Sequence, residues 1–192
     1  KYIIMPTNLQ GAASIIKTLP SNDVYILDQT NAELSAYPSV HQHFVKDMYS
    51  LLLEGKSKID RYERLILIFP GQKEPLGMVE GFQQFCLDYH YTHLVVPHFD
   101  TQLMQKGTVF VIPSDRHLVE VIEYAHTQGF QLGKDYGIIS YNDTPLKKVV
   151  ENGITTISTD FKMMGKTLAE MVLSNQKKQV ENPCQLIVRK SL

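Results

Sequence analysis

Residues 137–165 read GIISYNDTPLKKVVENGITTISTDFKMMG, the most informative pattern in the chain. The β-branched residues at 138–139 predict a buried strand that ends abruptly at the polar, turn-forming residues 140–145. A second short strand is expected at 154–158, followed by a helix for which Asp160 serves as the N-cap. Because ligands bind outside the carboxyl ends of strands in open α/β sheets, the polar segment is a candidate binding site.

Short strands alternate with helices along the rest of the chain. Strands are expected at residues 2–6 (buried), 24–27, 65–69, 92–96, 108–112 and 185–188. Helices are expected at residues 11–19, 43–53, 76–89, 118–127 and about 160–174. The polar, proline-containing segments 31–40 and 177–183 are expected to be connections. The alternation predicts an α/β fold with parallel sheets and right-handed crossovers.

Composition indicates a globular chain, because 43% of the 192 residues are hydrophobic and only 20% are charged. A net charge of -1 argues against nucleic-acid binding by this chain alone. The two cysteines form no motif, and Cys86 is expected to be a buried free thiol, which agrees with a reducing, cytoplasmic location. No stretch is long enough to span a bilayer. A strand directly after Lys1, with no initiating Met, suggests a fragment.

A combination of short motifs resembles the ligand-sensing domain of LacI/GalR-type transcription regulators. The motifs are Tyr141-Asn142-Asp143, Ile154-Thr155-Thr156-Ile157, Met164-Gly165 and the closing Leu186-Ile187-Val188-Arg189-Lys190-Ser191. The resemblance implies two Rossmann-like lobes with parallel sheets, the periplasmic binding protein-like type I fold, joined by three chain crossings. Residues 1–38 and 155–182 would form part of the first lobe, and residues 39–154 and 183–192 the second. An effector would bind between the lobes, and hinge closure would transmit its presence.

The chain departs from the LacI/GalR pattern in two places. The opening elements of the first lobe and the DNA-binding headpiece are missing, so the first lobe is expected to be incomplete. The segment between Val96 and Thr108 is also short and lacks the family's extra helix. This shortened form looks most like sensor domains attached to GntR-type winged-helix DNA-binding domains.

Polar residues follow several of the expected strands. Asp28, Ser114-Asp115 and Asn142-Asp143 all stand at strand ends. Carboxylates accept hydrogen bonds and amides both donate and accept them, so these side chains suit a polyhydroxylated ligand such as a sugar. By the resemblance, the positions of Asp28, Ser114 and Asn142 contact the effector, and Asp115 and Asp143 are their neighbours. Helix capping or turn closure is the alternative role, above all for Asp115 and Asp143.

Two aromatic residues, Phe99 and Tyr141, are further candidates, because their rings can stack on the apolar face of a sugar. One expected group is missing. Many relatives carry an arginine three residues before the Gly81-Phe82 pair, where this chain has Met78. The bidentate clamp of an arginine is therefore lost. Lys73 in the preceding loop is a possible substitute, although a solvated surface lysine is the default.

The sequence carries no catalytic or metal-binding signature. The seven histidines lack metal-ligand spacing, and no Gly-rich phosphate loop or G-x-S-x-G motif occurs. We therefore expect a non-enzyme without cofactor or metal: the sugar-sensing and dimerisation domain of a transcription regulator. Its partners would be a monosaccharide effector, a second copy of the chain, and DNA through a headpiece, with no membrane. A periplasmic-type sugar-binding protein of a transporter is the main alternative, followed by an α/β enzyme.

Overall fold

A computed structural model describes residues 1–6, 11–71 and 74–192. The chain forms two compact units: unit 1 comprises residues 1–43 and 159–184, and unit 2 comprises residues 44–158 and 185–192. Each unit is built on its own sheet, which has four strands in unit 1 and six strands in unit 2. The predicted α/β class with parallel sheets is confirmed.

Unit 1 is a parallel sheet with helices on its faces. Its elements are β1 (Tyr2–Ile4), α1 (Ala12–Ile16), β2 (Val24–Asp28), β3 (Ser39–His41), α7 (Phe161–Leu173) and β9 (Gln179–Glu181). The strand order is β1-β2-β3-β9, and all three pairings are parallel. The carboxyl ends of these strands therefore share one edge of the sheet.

Alternation along β2 divides the core of unit 1 into two halves. Val24 and Ile26 face a cluster that includes Ile16 of α1, whereas Tyr25 faces Met164 and other apolar residues of α7. The predicted N-cap of α7 is confirmed, because Asp160 Oδ1 accepts a hydrogen bond from the amide of Met163 at 2.8 Å. β2 is thus buried on both sides, as expected of a central parallel strand.

Unit 2 contains the larger sheet. Its helices are α2 (Phe44–Glu54), α3 (Lys56–Ile59), α4 (Gly77–Asp88), α5 (Asp115–Thr127) and α6 (Pro145–Val149). Its strands are β4 (Arg64–Ile68), β5 (Thr92–Val96), β6 (Thr108–Ile112), β7 (Tyr136–Tyr141), β8 (Thr155–Thr159) and β10 (Cys184–Ile187). The strand order is β10-β8-β7-β6-β4-β5, and the pairings from β8 to β5 are parallel.

The core of unit 2 follows from the same alternation. Ile66, Phe110 and Ile138 point from neighbouring strands toward α5, whose buried residues complete the cluster. The helices α2 and α4 approach each other closely at Gly81, where a Cβ atom would lie 2.3 Å from the carbonyl oxygen of Val45. A glycine is therefore required at this crossing.

Several expectations were wrong in detail. Residues 39–41 and 179–181 lie in expected connections but form β3 and β9, because three-residue strands are too short to leave a periodic pattern. β1 is exposed rather than buried, with Tyr2 at 45% and Ile3 at 55% exposure, because it lies at the edge of its sheet.

The two units also divide the chain a few residues later than the expected boundaries after 38, 154 and 182. β3 pairs with β2, which puts residues 39–41 in unit 1. Residues 155–158 of β8 belong to unit 2, because Thr155, Thr156 and Ile157 pair with β7. Strand pairing thus accounts for the shifts at residues 39–41 and 155–158.

Cys86 is a buried free thiol, as predicted, and burial raises its pKa to about 12. Such a thiol stays protonated at neutral pH and is chemically inert. Over the described residues, no helix combines the length and the apolar character needed to cross a membrane.

Candidate functional site

The carboxyl edge of the unit 2 sheet holds most of the predicted site residues. β6 and β7 run parallel with Ile112 opposite Ser140, so the residues that follow them, Ser114 and Asn142, emerge at the same edge. Ser114 occupies the N-cap position of α5, yet its side chain makes no capping hydrogen bond. Its carbonyl oxygen accepts the amide of Leu118 at 3.0 Å. The Ser114 hydroxyl is therefore not engaged in capping.

Asn142 has an unusual backbone and an unusual side chain. Its φ of 59° lies in the left-handed region, which asparagine tolerates better than most residues. Its amide donates to the carbonyl oxygen of Ile157 at 2.7 Å, which fixes the turn. Its Oδ1 atom is buried and has no hydrogen-bond partner within the described part of the chain. Buried polar atoms are rarely left unsatisfied, and sparsely populated backbone conformations cluster at functional sites.

Asp143 is engaged in an internal ion pair. Arg189 donates two parallel hydrogen bonds to its carboxylate, at 2.7 Å to Oδ1 and 2.9 Å to Oδ2. Thr156 donates a third at 3.3 Å, and the amide of Asp143 donates to the hydroxyl oxygen of Ser158 at 2.9 Å. The Arg189 guanidinium holds the pKa of the Asp143 carboxyl below its usual value. This arrangement fixes the loop after β7 to β8 and to the C-terminal segment.

Asp115 is also paired, although its side chain is 68% exposed. Its Oδ1 lies 2.8 Å from Nζ of Lys147, a lysine whose side chain is only 4% exposed. Asp115 is the first residue of α5, where a carboxylate also interacts favourably with the helix dipole. The structure thus gives Asp115 and Asp143 cationic partners within unit 2.

The two aromatic candidates differ in accessibility. Phe99 is half-buried and packs edge-to-face on Phe110 and Tyr124, with ring centroids 6.0 and 5.8 Å apart. Tyr141 is the last residue of β7 and is 5% exposed. Phe99 therefore offers more ring surface than Tyr141.

Unit 1 has its own polar edge, centred on Asp28 at the end of β2. Its φ is 72°, and the residue is 9% exposed. Its Oδ1 accepts a hydrogen bond from Nε2 of Gln42 at 2.5 Å, and the amide of Gln42 donates to the Asp28 carbonyl oxygen at 2.9 Å. No cationic side chain of the described residues lies within ion-pair distance of this carboxylate. Asp28 is therefore a buried acceptor supported by a neutral donor.

Two polar residues at the carboxyl ends of the next strands, β3 and β9, complete the unit 1 edge. His41, at the end of β3, shares a 2.9 Å hydrogen bond with Ser39, and burial lowers the pKa of its imidazole. Asn182 follows β9; it is 4% exposed, and its Oδ1 atom has no partner among the described residues. Both edges thus combine amides with a carboxylate, a set suited to hydroxyl groups.

Sequence reasoning missed Lys147, Arg189 and Gln42. A lysine in a polar segment carries no signal of burial, and the partner of Arg189 lies 46 residues away. Met78, at the position of the missing arginine, is buried at 4% exposure and belongs to the interior. Lys73, the candidate substitute, lies outside the described residues. The residues that the structure describes include no group of three potential metal ligands.

With this geometry in place, comparison with known proteins identifies the family. Residues 61–192 match the family described as periplasmic binding protein-like domain, and the chain belongs to it. A comparison with curated protein sequences finds no significant match.

Solved structures with the same fold include several bacterial regulators. A probable maltose operon transcriptional repressor, MalR, from Staphylococcus aureus has a TM-score of 0.78 at 12% identity, over 98% of this chain and 74% of its own. A dimeric Lac repressor with a C-terminal deletion has a TM-score of 0.77 at 17% identity, over 98% and 76%. A LacI-family transcriptional regulator from Enterococcus faecalis with bound ribose has a TM-score of 0.75 at 20% identity, over 98% of this chain and 76% of its own. These neighbours are transcription regulators rather than enzymes, and at such identities they establish the shared fold.

Proposed function

We propose that this chain is the effector-binding domain of a bacterial transcription regulator and that its effector is a sugar. The observation that carries the proposal is a polar residue in the left-handed conformation at the carboxyl end of a central strand in each unit, Asp28 and Asn142. Support also comes from the structural neighbours, which include regulators in complex with ribose and with cellobiose.

The effector contacts in this proposal are Asp28, Ser114, Asn142 and the half-buried ring of Phe99. Asp28 accepts hydrogen bonds from sugar hydroxyls, and the side-chain amide of Asn142, whose oxygen has no partner among the described residues, bonds to a further hydroxyl. Phe99 supplies an apolar surface for the sugar ring.

The effector acts by shifting a conformational equilibrium. It favours one conformation only to the extent that it binds that conformation more tightly than the other. In the whole regulator, the shift changes how a pair of headpieces fits its DNA half-sites.

Finer assignments belong to the same proposal. The effector is a monosaccharide, the regulator is a cytoplasmic homodimer, and its headpiece is a GntR-type winged helix. The shortened segment between Val96 and Thr108 is the feature that favours this headpiece. Sequencing the gene on both sides of the region that encodes these 192 residues tests the assignment. A winged helix supports it, whereas a secretory leader favours a transporter-associated binding protein.

Isothermal titration of the full-length protein with D-ribose, D-xylose, maltose and cellobiose tests sugar binding. We expect at least one sugar to bind, and Asp28→Asn to weaken it about ten-fold, because a charge-assisted hydrogen bond becomes a neutral one.

Asp23→Asn is the matched control, since Asp23 stands just before the opposite end of the same strand and is paired with Lys1 at 2.7 Å. It is expected to leave the affinity unchanged. Absence of binding by every sugar and sugar phosphate tried, or equal effects of the two variants, would count against the proposal.

A further inference from the structure

Two adjacent lysines on α6 have opposite environments. The side chain of Lys147 is 4% exposed, whereas that of Lys148 is 59% exposed. A buried ammonium group is unfavourable unless its charge and its three hydrogen-bond donors are satisfied. Lys147 is thus unlike an ordinary surface lysine, and its partners define what it does.

The ammonium group of Lys147 has three oxygen partners. It donates to the carbonyl oxygens of Tyr141 at 2.7 Å and Asn142 at 3.0 Å, and it lies 2.8 Å from Oδ1 of Asp115. These three contacts match the three donors of an ammonium group. Lys147 therefore connects the end of β7 with the first residue of α5.

The backbone of Lys147 is held as firmly as its side chain. Its amide donates to the hydroxyl oxygen of Thr144, the N-cap of α6, and its carbonyl oxygen accepts the amide of Ile154 at 2.8 Å. The side chain of Lys147 therefore extends from a fixed backbone position to the two peptide units on either side of the Asn142 Cα atom.

Those peptide units set the direction of the Asn142 side chain. Asn142 has a φ of 59°, and its two flanking carbonyl oxygens, its own and that of Tyr141, both accept from Lys147. The ion pair with Asp115 orders the start of α5, next to Ser114. Lys147 thus holds two of the proposed effector contacts of unit 2, Asn142 and Ser114, without being one of them.

We propose that Lys147 is a positioning residue for the effector site, one that fixes Asn142 and Ser114 relative to each other. The inference rests on the proposed function for its effect on sugar affinity, but the local order that Lys147 imposes can be measured without any ligand. The same contacts make Asp115 a partner of Lys147 rather than an effector contact.

Amide hydrogen exchange followed by NMR, on the full-length protein, tests the ordering. In Lys147→Met we expect the amides of Asn142, Asp143 and Leu118 to exchange about ten-fold faster or more, because each lost charged hydrogen bond stabilises the closed state. The amide of Phe69, which donates to Val96 in a distant part of unit 2, is expected to be unchanged.

Lys148→Met is the matched control. Its ammonium group lies 3.8 Å from Asp143 and is mostly in solvent, so its removal is expected to leave all of these amides unchanged. Faster exchange confined to α6 in Lys147→Met, or equal effects of the two variants, overturns the inference. If Lys147→Met fails to fold, the same exchange measurement is made on Asp115→Asn, in which the amide of Leu118 is expected to exchange faster.

A double-mutant cycle on binding separates positioning from general stability. With the panel sugar that binds most tightly, Lys147→Met and Asn142→Gly are each expected to weaken binding about ten-fold, and the double variant by clearly less than the product of the two, because part of the effect of Lys147 passes through Asn142. Multiplied effects would mean that Lys147 does not act through Asn142. If no sugar binds, the proposed function fails, and the exchange experiment still decides the ordering role.

Discussion

The two units end a central strand in the same way but support the strand end differently. Asp28, the last residue of β2, and Asn142, the residue after β7, both have a left-handed backbone, with φ of 72° and 59°. In unit 1 the left-handed residue itself carries the charge, and the neutral amide of Gln42 supports it. In unit 2 the charge lies one residue later, on Asp143, and Arg189 neutralises it.

This difference separates recognition from scaffolding. A carboxylate bound by a guanidinium in a bidentate pair has its charge compensated and both oxygens engaged. A carboxylate supported by one neutral donor keeps its charge and further acceptor capacity for hydroxyl groups. In the proposed function, the contact from unit 1 is therefore an anion, Asp28, whereas that from unit 2 is a neutral amide, Asn142, on a loop held by Arg189 and Lys147.

The largest effect is expected from breaking the unit 2 pair. Arg189→Met leaves Asp143, whose side chain is 13% exposed, with only the mostly solvated ammonium group of Lys148, 3.8 Å away, as a cationic partner. We expect the free energy of unfolding to fall by about 3 kcal/mol, because removing one partner of a buried pair strands the other. Urea denaturation measures this change, and Arg189→Met combined with Asp143→Asn should recover part of it.

The same pair predicts a pH dependence whose sign can be worked out. Because the folded state lowers the pKa of Asp143 below its usual 3.8, the ion pair contributes fully above that value. The contribution is lost as the pH falls through the folded-state pKa. The acid loss of stability should therefore be shallower in Asp143→Asn, and a parallel acid limb in the two proteins would contradict the assignment.

A smaller effect is expected from the left-handed backbone. Asn142→Gly should be more stable than Asn142→Ala by about 1 kcal/mol, because alanine has a steric penalty at a φ of 59° that glycine lacks. The same order is expected at position 28, where φ is 72°. Urea denaturation of the four variants measures both differences. Equal stability of the alanine and glycine variants would show that the backbone relaxes.

The smallest change in stability is expected at the unit 1 charge. Asp28→Asn retains an oxygen that accepts from Gln42 and a residue that tolerates the left-handed region. We expect the free energy of unfolding to change by about 0.5 kcal/mol, since the weaker hydrogen bond is offset by easier burial of a neutral group. A loss as large as that of Arg189→Met would place Asp28 in the scaffold and remove the contrast between the units.

Much of the fold could be predicted because its signals are local. The apolar runs of β4, β6 and β7 and the Asp160 N-cap lie within a few residues of the elements they specify. The strands β3 and β9 escaped prediction, because each has three residues and is specified by its parallel neighbours rather than by its own pattern.

The sequence by itself determined the α/β class, the order of most elements and the positions of polar residues at strand ends, since all of these depend on short-range periodicity and turn chemistry. Only the tertiary structure decided which of those polar residues already have hydrogen-bond or ion-pair partners within the chain. Arg189 reaches Asp143 across 46 residues, and Lys147 differs from Lys148 only in what the folded chain packs around it. Burial and charge pairing are properties of neighbours in space, and residue type alone does not encode them.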